Sequence, residues 1–225
     1  MVTEDSQTLL HLMQLVSPAL PVGAYAYSQG LESAVEQQWV SDADSAENWI
    51  GNVMIYNLGN LDGPILARLH GAWLRRDLDA LNHWNHFIQA SRESRELLLE
   101  DLEMGAALRR LLLELDVPGA DRWGAEDTSF AGMFSLAASH WQLSEDHMLN
   151  GFVWSWLENQ VAAAIKLVPL GQTQGQKLLI NLMPVVRTTV QRSKTVADDE
   201  LGASLPRLAL ASMQHEVQYS RLFRS

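Results

Sequence analysis

The chain has 225 residues, 47% of them hydrophobic and 19% charged, which is enough for one sizeable core and excludes a disordered or fibrous composition. A formal net charge of -11 with a pI near 5.0 opposes phosphate backbones and anionic lipid, so neither nucleic acid nor membrane is an expected partner. The absence of cysteine removes disulfides, thiolate metal sites and a cysteine nucleophile, and fits a cytoplasmic location.

Glu4 and Asp5 stand where an export signal would carry Lys or Arg, and no later apolar run approaches the roughly 20 residues of a spanning helix. Neither an export signal nor a membrane segment is expected. Leu is abundant, and no stretch alternates apolar and polar residues as a half-buried strand would. The expected fold is therefore all-α: one domain over residues 1–225, a helical bundle of about ten helices.

In chain order, Leu9, Leu12, Met13 and Val16 share one face of a helix over 8–16, which Ser17-Pro18 ends. Ser28 is placed to cap a helix reaching 38, and Ser41, Asp42 and Asp44 cap and charge the start of the next. Gly63-Pro64 opens a helix to 76, followed by helices over 78–90 and 93–115. Val117-Pro118-Gly119 breaks the pattern, and 117–127 reads as a long loop. Ser144, Glu145 and Asp146 start the most hydrophobic helix, expected at the centre of the core. A helix over 171–191 contains Pro184, so a kink or break is expected near Met183. A polar loop over 193–202 precedes a last helix opened by Pro206, and the chain closes on a mixed aromatic and basic segment, 218–225.

Catalytic signatures are absent. The piece Gly171-Gln-Thr-Gln-Gly175 lacks the Lys-Ser/Thr that a phosphate-binding loop needs, and no Gly-x-Ser-x-Gly appears. His83 and His86 lie i, i+3 on a helix without a third ligand at binding spacing, and His140 and His147 flank a helix junction. His215 and Glu216 are adjacent, so they point in different directions, and a solvated face accounts for them better than an acid/base pair. These patterns describe a helical interaction domain and no reaction.

One segment is unusual on physical grounds. In Ser17-Pro18-Ala19-Leu20-Pro21-Val22-Gly23-Ala24-Tyr25-Ala26-Tyr27-Ser28-Gln29-Gly30-Leu31-Glu32, prolines stiffen the backbone, Gly23 permits a tight turn and Tyr25 and Tyr27 carry large amphipathic rings. It resembles the N-terminal signature of the UreF family of urease accessory proteins. Three further segments are similar to that family and occur in its order: Arg92-Glu-Ser-Arg-Glu-Leu97, Lys166-Leu-Val-Pro-Leu-Gly-Gln172, and His215-Glu-Val-Gln-Tyr-Ser-Arg-Leu-Phe-Arg-Ser225.

The resemblance implies an all-α homodimer without catalytic or metal residues of its own. It implies an adaptor between UreD (also called UreH) and the GTPase UreG in the GTP-dependent assembly of the nickel centre of apo-urease. Nickel and GTP would be handled by those partners, with no cofactor bound directly. The partner-binding residues would be Pro18, Leu20, Pro21, Gly23, Tyr25, Tyr27, Ser28 and Glu32 in the loop. Arg92, Glu93, Arg95, Lys166 and Gln172 would join them, with His215, Glu216, Tyr219, Arg221, Leu222, Phe223 and Arg224 in a tail, 215–225. So short a tail cannot offset its own ordering entropy, so it is expected to be mobile alone and ordered on docking. Against this stand plainer readings: helix-stopping prolines, a solvated Lys166, and surface ion pairs over 92–96. Two other functions stay open, a GTPase-activating protein using Arg221 or Arg224 as a finger, and a nickel-binding metallochaperone.

Overall fold

The computed structural model describes residues 4–202 and 205–225; residues 1–3, the start of the stretch read for an export signal, lie outside them, as do 203–204. Among the described residues the regular structure is helical, with no strand. The elements are α1 (Glu4–Leu15), α2 (Leu31–Glu36), α3 (Ala43–Val53), α4 (Gly63–Arg75), α5 (Leu78–Ala90), α6 (Arg95–Glu114), α7 (Phe130–His140), α8 (Glu145–Leu167), α9 (Gln172–Ser193) and α10 (Pro206–Glu216). None of these helices is long and apolar enough to cross a membrane.

Helix starts follow local capping chemistry. Asp42 accepts from the Ser45 amide at 2.9 Å, Ser94 from Leu97 at 3.2 Å and Ser144 from His147 at 3.1 Å, each stabilising by about 1 kcal/mol. Glu145 and Asp146 in the first turn of α8 suit the helix dipole, and Pro206 sits at the first turn of α10, where its missing N–H costs nothing. Ser28 caps α2 from three residues before Leu31, its Oγ accepting from the Glu32 amide at 3.3 Å, and the helix ends at Glu36 rather than 38. Gly30, at φ +78°, precedes α2, because a Cβ there would meet Ala211 Cβ and the Ser212 amide at 3.2 Å, so only glycine lets α10 approach this closely.

Between α3 and α4 the backbone continues as a π-helical stretch, Met54–Asp62, making one rod of the three. A Cβ on Gly63 would lie 2.1 Å from Ser193 Oγ, so glycine is what allows α9 to lie against the rod. The extra residue per turn of a π stretch turns Asp62 inward, where its side chain is buried.

The core is built around α7, on which every residue from Ala131 to Ala138 is buried. Phe130, Phe134 and Phe152 stack edge-on or tilted with centroids 5.3–6.1 Å apart, joining α7 to α8. As expected, α8 lies at the centre, burying Leu149, Val153, Leu157 and Val161 and packing against α1, α2, α3, α4 and α9, but it is not the most apolar helix, since Trp154, Ser155 and Trp156 remain partly exposed. The helix over 130–140 is capped by Ser129, which accepts from the Gly132 amide at 3.0 Å, but it lacks the first-turn acids seen after 144, and sequence reasoning passed over it. α9 shows no break, since the helix continues through Pro184. Ile180 and Pro184 both lie on the exposed side, where water can take the Ile180 carbonyl that the proline leaves unpaired.

Candidate functional site

The loop 17–32 is shaped residue by residue. The Leu20 amide donates to the Ser17 carbonyl at 2.9 Å, closing a turn around Pro18, and Gly23 takes φ +77° before a single 3-10 turn, Ala24–Ala26. Gln29 holds φ 52°, unfavourable for a residue with a side chain, and that side chain explains how it persists. Its Nε2 donates to Glu100 Oε1 at 2.6 Å, and its Oε1 accepts from Trp156 Nε1 at 2.6 Å. The two tyrosines separate: Tyr25 is 71% exposed, whereas Tyr27 is buried, with its hydroxyl donating to Glu103 at 2.5 Å. Burial, then Glu103, push the Tyr27 hydroxyl above its ordinary range. The expectation of two surface rings thus holds for Tyr25 and is corrected for Tyr27, whose ring joins the core.

The last residues close over this loop. The Arg224 amide donates to the Ala26 carbonyl at 2.8 Å, and the Ser28 amide to the main-chain oxygen of Ser225 at 2.8 Å. Ser28 Oγ donates to the same oxygen at 2.5 Å. Glu32 accepts from the amides of Leu222 (2.6 Å) and Phe223 (2.8 Å) and faces His215 Nε2 at 3.2 Å. His215 Nδ1 faces Glu96 at 2.6 Å, and Glu96 also accepts from Arg221. Phe223 is buried beneath Lys166, whose ammonium stands 5.3 Å from its ring centre. Two expectations are overturned here. His215 is fully buried between two carboxylates rather than on a solvated face, and the segment from Arg221 is tied down rather than free. Arg221 and Arg224 pair with Glu96 and Glu103, with their side chains 40% and 64% exposed.

On its other side the same loop roofs a cavity of about 380 Å³, to which Pro18, Leu20, Tyr25, Arg92 and Glu93 all contribute. Leu58, Leu61, Met104 and Phe152 form part of its apolar wall. Its polar end is built around Arg92, paired with Asp62 at 2.8 Å and Asp101 at 3.4 Å. Burial opposes the Arg92 charge, but Asp101 and Asp62 outweigh it. The Arg92 side chain is only 14% exposed, so the plainer reading of a surface ion pair is also wrong. Glu100, buried against Gln29 and Ser225, is pushed by that burial up to about 7.

The structure therefore brings the predicted loop, the Arg92 segment and the tail together, with Lys166, around one feature. Arg95, Glu216 and Gln172 are exposed, Arg95 and Glu216 beside Glu96 and Gln172 at the start of α9. Tyr219, Val217 and Leu222 are 106%, 82% and 64% exposed, and the Leu222 amide donates to Glu32 at the end of Tyr25's loop. Sequence reasoning missed Glu96, Glu100, Glu103, Asp62, Asp101, Gln29 and Trp156, which hold the arrangement together. Of these, only the acid-rich start of α6 offered a signal, as carboxylates at i, i+4 and i+7 from Glu96, with Asp101 at i+5. His83 and His86 are exposed, and among the described residues no three of His, Cys, Asp and Glu are grouped to hold a metal ion.

Comparison with known proteins points one way. The UreF family model matches residues 40–183. The urease accessory protein UreF of Teredinibacter turnerae is 51% identical over 217 residues, covering 96% of this chain and 98% of that protein. Those of Hahella chejuensis and Chromohalobacter salexigens are 46% and 48% identical over 217 and 221 residues, covering 96% and 98% of this chain and 98% and 96% of theirs.

Proposed function

The chain belongs to the UreF family of urease accessory proteins, and on that premise we propose that it is a non-catalytic, cytoplasmic adaptor in urease maturation. In this reading it joins UreD (UreH) to the GTPase UreG, as a homodimer, so that nickel reaches apo-urease in a GTP-dependent step. Nickel and GTP stay with the partners. The observation that carries the reading is the pinned loop and tail, which together offer Tyr25, Val217, Tyr219 and Leu222 to solvent on a scaffold already ordered. Aromatic and apolar anchors on a pre-organised backbone bind with little further loss of conformational freedom. Tyr219 and Leu222 touch the surface alone, so changing them separates binding from folding.

Co-purification of the Tyr219→Ala, Leu222→Ala double variant with UreD and UreG tests this. Retention of both partners is expected to fall at least about tenfold, on the order of 2 kcal/mol per anchor, with thermal stability unchanged. Full retention of both partners by the variant would remove this surface from the interface.

A further inference from the structure

We propose that the cavity beneath the loop 17–32 binds an organic cation, a primary ammonium or guanidinium group carried on an apolar stem. Asp62, Glu93, Glu100, Asp101 and Glu158 line it, and Arg92 is the one cation among its described lining residues. Asp62 and Asp101 share that arginine and Glu100 accepts from Gln29 and Ser225, which leaves Glu93 and Glu158 without a positive partner among the described residues. Asp101 Oδ2 is buried in the lining with no hydrogen-bond partner, although its other oxygen meets Arg92 and the Phe130 amide; Arg92 Nε is also unpartnered there, one donor against a lining of five carboxyl groups. Buried polar atoms without partners are uncommon and point to something missing. Burial raises the carboxyls of Glu93, Asp101 and Glu158 above their ordinary range as well as Glu100, which is what carboxylates short of positive charge do.

The occupant's shape follows from the walls. At about 380 Å³ the space exceeds by far the roughly 30 Å³ share of one water, and Leu20, Leu58, Leu61, Met104 and Phe152 suit methylene groups rather than solvent. Since the described carboxylates are not grouped to hold a metal ion, the charge they seek belongs to a donor that brings its own hydrogens. An anion would face repulsion on every side but that of Arg92. A lysine or arginine of a protein partner and a free alkylamine present the same chemistry to such a site.

The test is calorimetric titration of the full chain with hexylamine, hexanol and hexanoate, equal in length and different in charge. Saturable binding of hexylamine is expected, with hexanol at least about tenfold weaker and hexanoate weaker still. Glu158→Gln, at a carboxylate without a partner, should leave folding intact and weaken hexylamine about three- to fivefold. Asp101→Asn should weaken it more. Equal binding of hexanol, or unchanged affinity in Glu158→Gln, would overturn the proposal, as would displacement of hexylamine by equimolar nickel chloride. If hexylamine also releases a bound urease accessory partner, the natural cation is a side chain of that partner; if the complex is undisturbed, it is a free amine.

Discussion

Glu32 receives the main-chain amides of Leu222 and Phe223 on separate oxygens and faces His215 with one of them, so three groups far from it in sequence depend on one carboxylate. Glu32→Ala should leave both amides and the buried Nε2 of His215 without a partner and cost about 3 kcal/mol or more. Urea unfolding reads that loss, and tryptic cleavage at Arg221 and Arg224 should quicken severalfold as the tail comes free. Glu100 has a different signature. Because its folded value is raised from 4.5 to about 7, its contribution to stability is complete below about pH 4.5 and is lost as pH rises through about 7. Glu100→Gln cannot titrate, so the stability of the natural chain relative to this variant should fall between pH 4.5 and 7.5, by on the order of 1–3 kcal/mol. Equal slopes for the two proteins over that range would show that Glu100 is not titrating there.

The elements meet through glycines chosen for contact rather than for turns. A Cβ on Gly105 of α6 would stand 2.1 Å from the Thr128 carbonyl oxygen and 2.7 Å from the Ser129 carbonyl carbon, both main chain and neither able to move alone. Gly105→Ala should therefore push α6 off the start of α7 and destabilise by about 3 kcal/mol. Gly71 on α4 is the control, since its added methyl would meet only the mobile Arg75 guanidinium at 3.0 Å. Gly71→Ala should be neutral or stabilise by about 0.5–1 kcal/mol through helix propensity. Denaturant midpoints for the pair distinguish close helix packing from a general need for glycine. The π stretch is part of the same logic: by turning Asp62 to Arg92, it couples the long rod to the segment that leads into α6.

At the scale of the whole molecule the tail is part of the fold. Removing residues 218–225 takes away buried Phe223 and the hydrogen bonds to Ala26, Ser28 and Glu32, and should lower the melting temperature by several degrees. A truncation is thus a poor probe of partner binding. Sedimentation at micromolar concentration should show a dimer; a monomer there would count against the homodimer. Much of this protein was legible in its sequence. Apolar spacing marked 78–90 as α5, Asp42, Ser144 and Pro206 marked helix starts, and the proline–glycine–tyrosine loop stood out as unusual, since each depends on neighbours within a turn or two. The fates of individual side chains were not legible. Whether Tyr25 or Tyr27 faces water, whether His215 is solvated, and what Arg92 pairs with are decided by residues such as Glu103, Glu32 and Asp62. Separations of 76 positions for Tyr27 and 183 for His215 carry no trace in local pattern. Periodicity and capping are short-range and survive in the unfolded chain's own order, whereas burial and charge pairing exist only once the helices have packed.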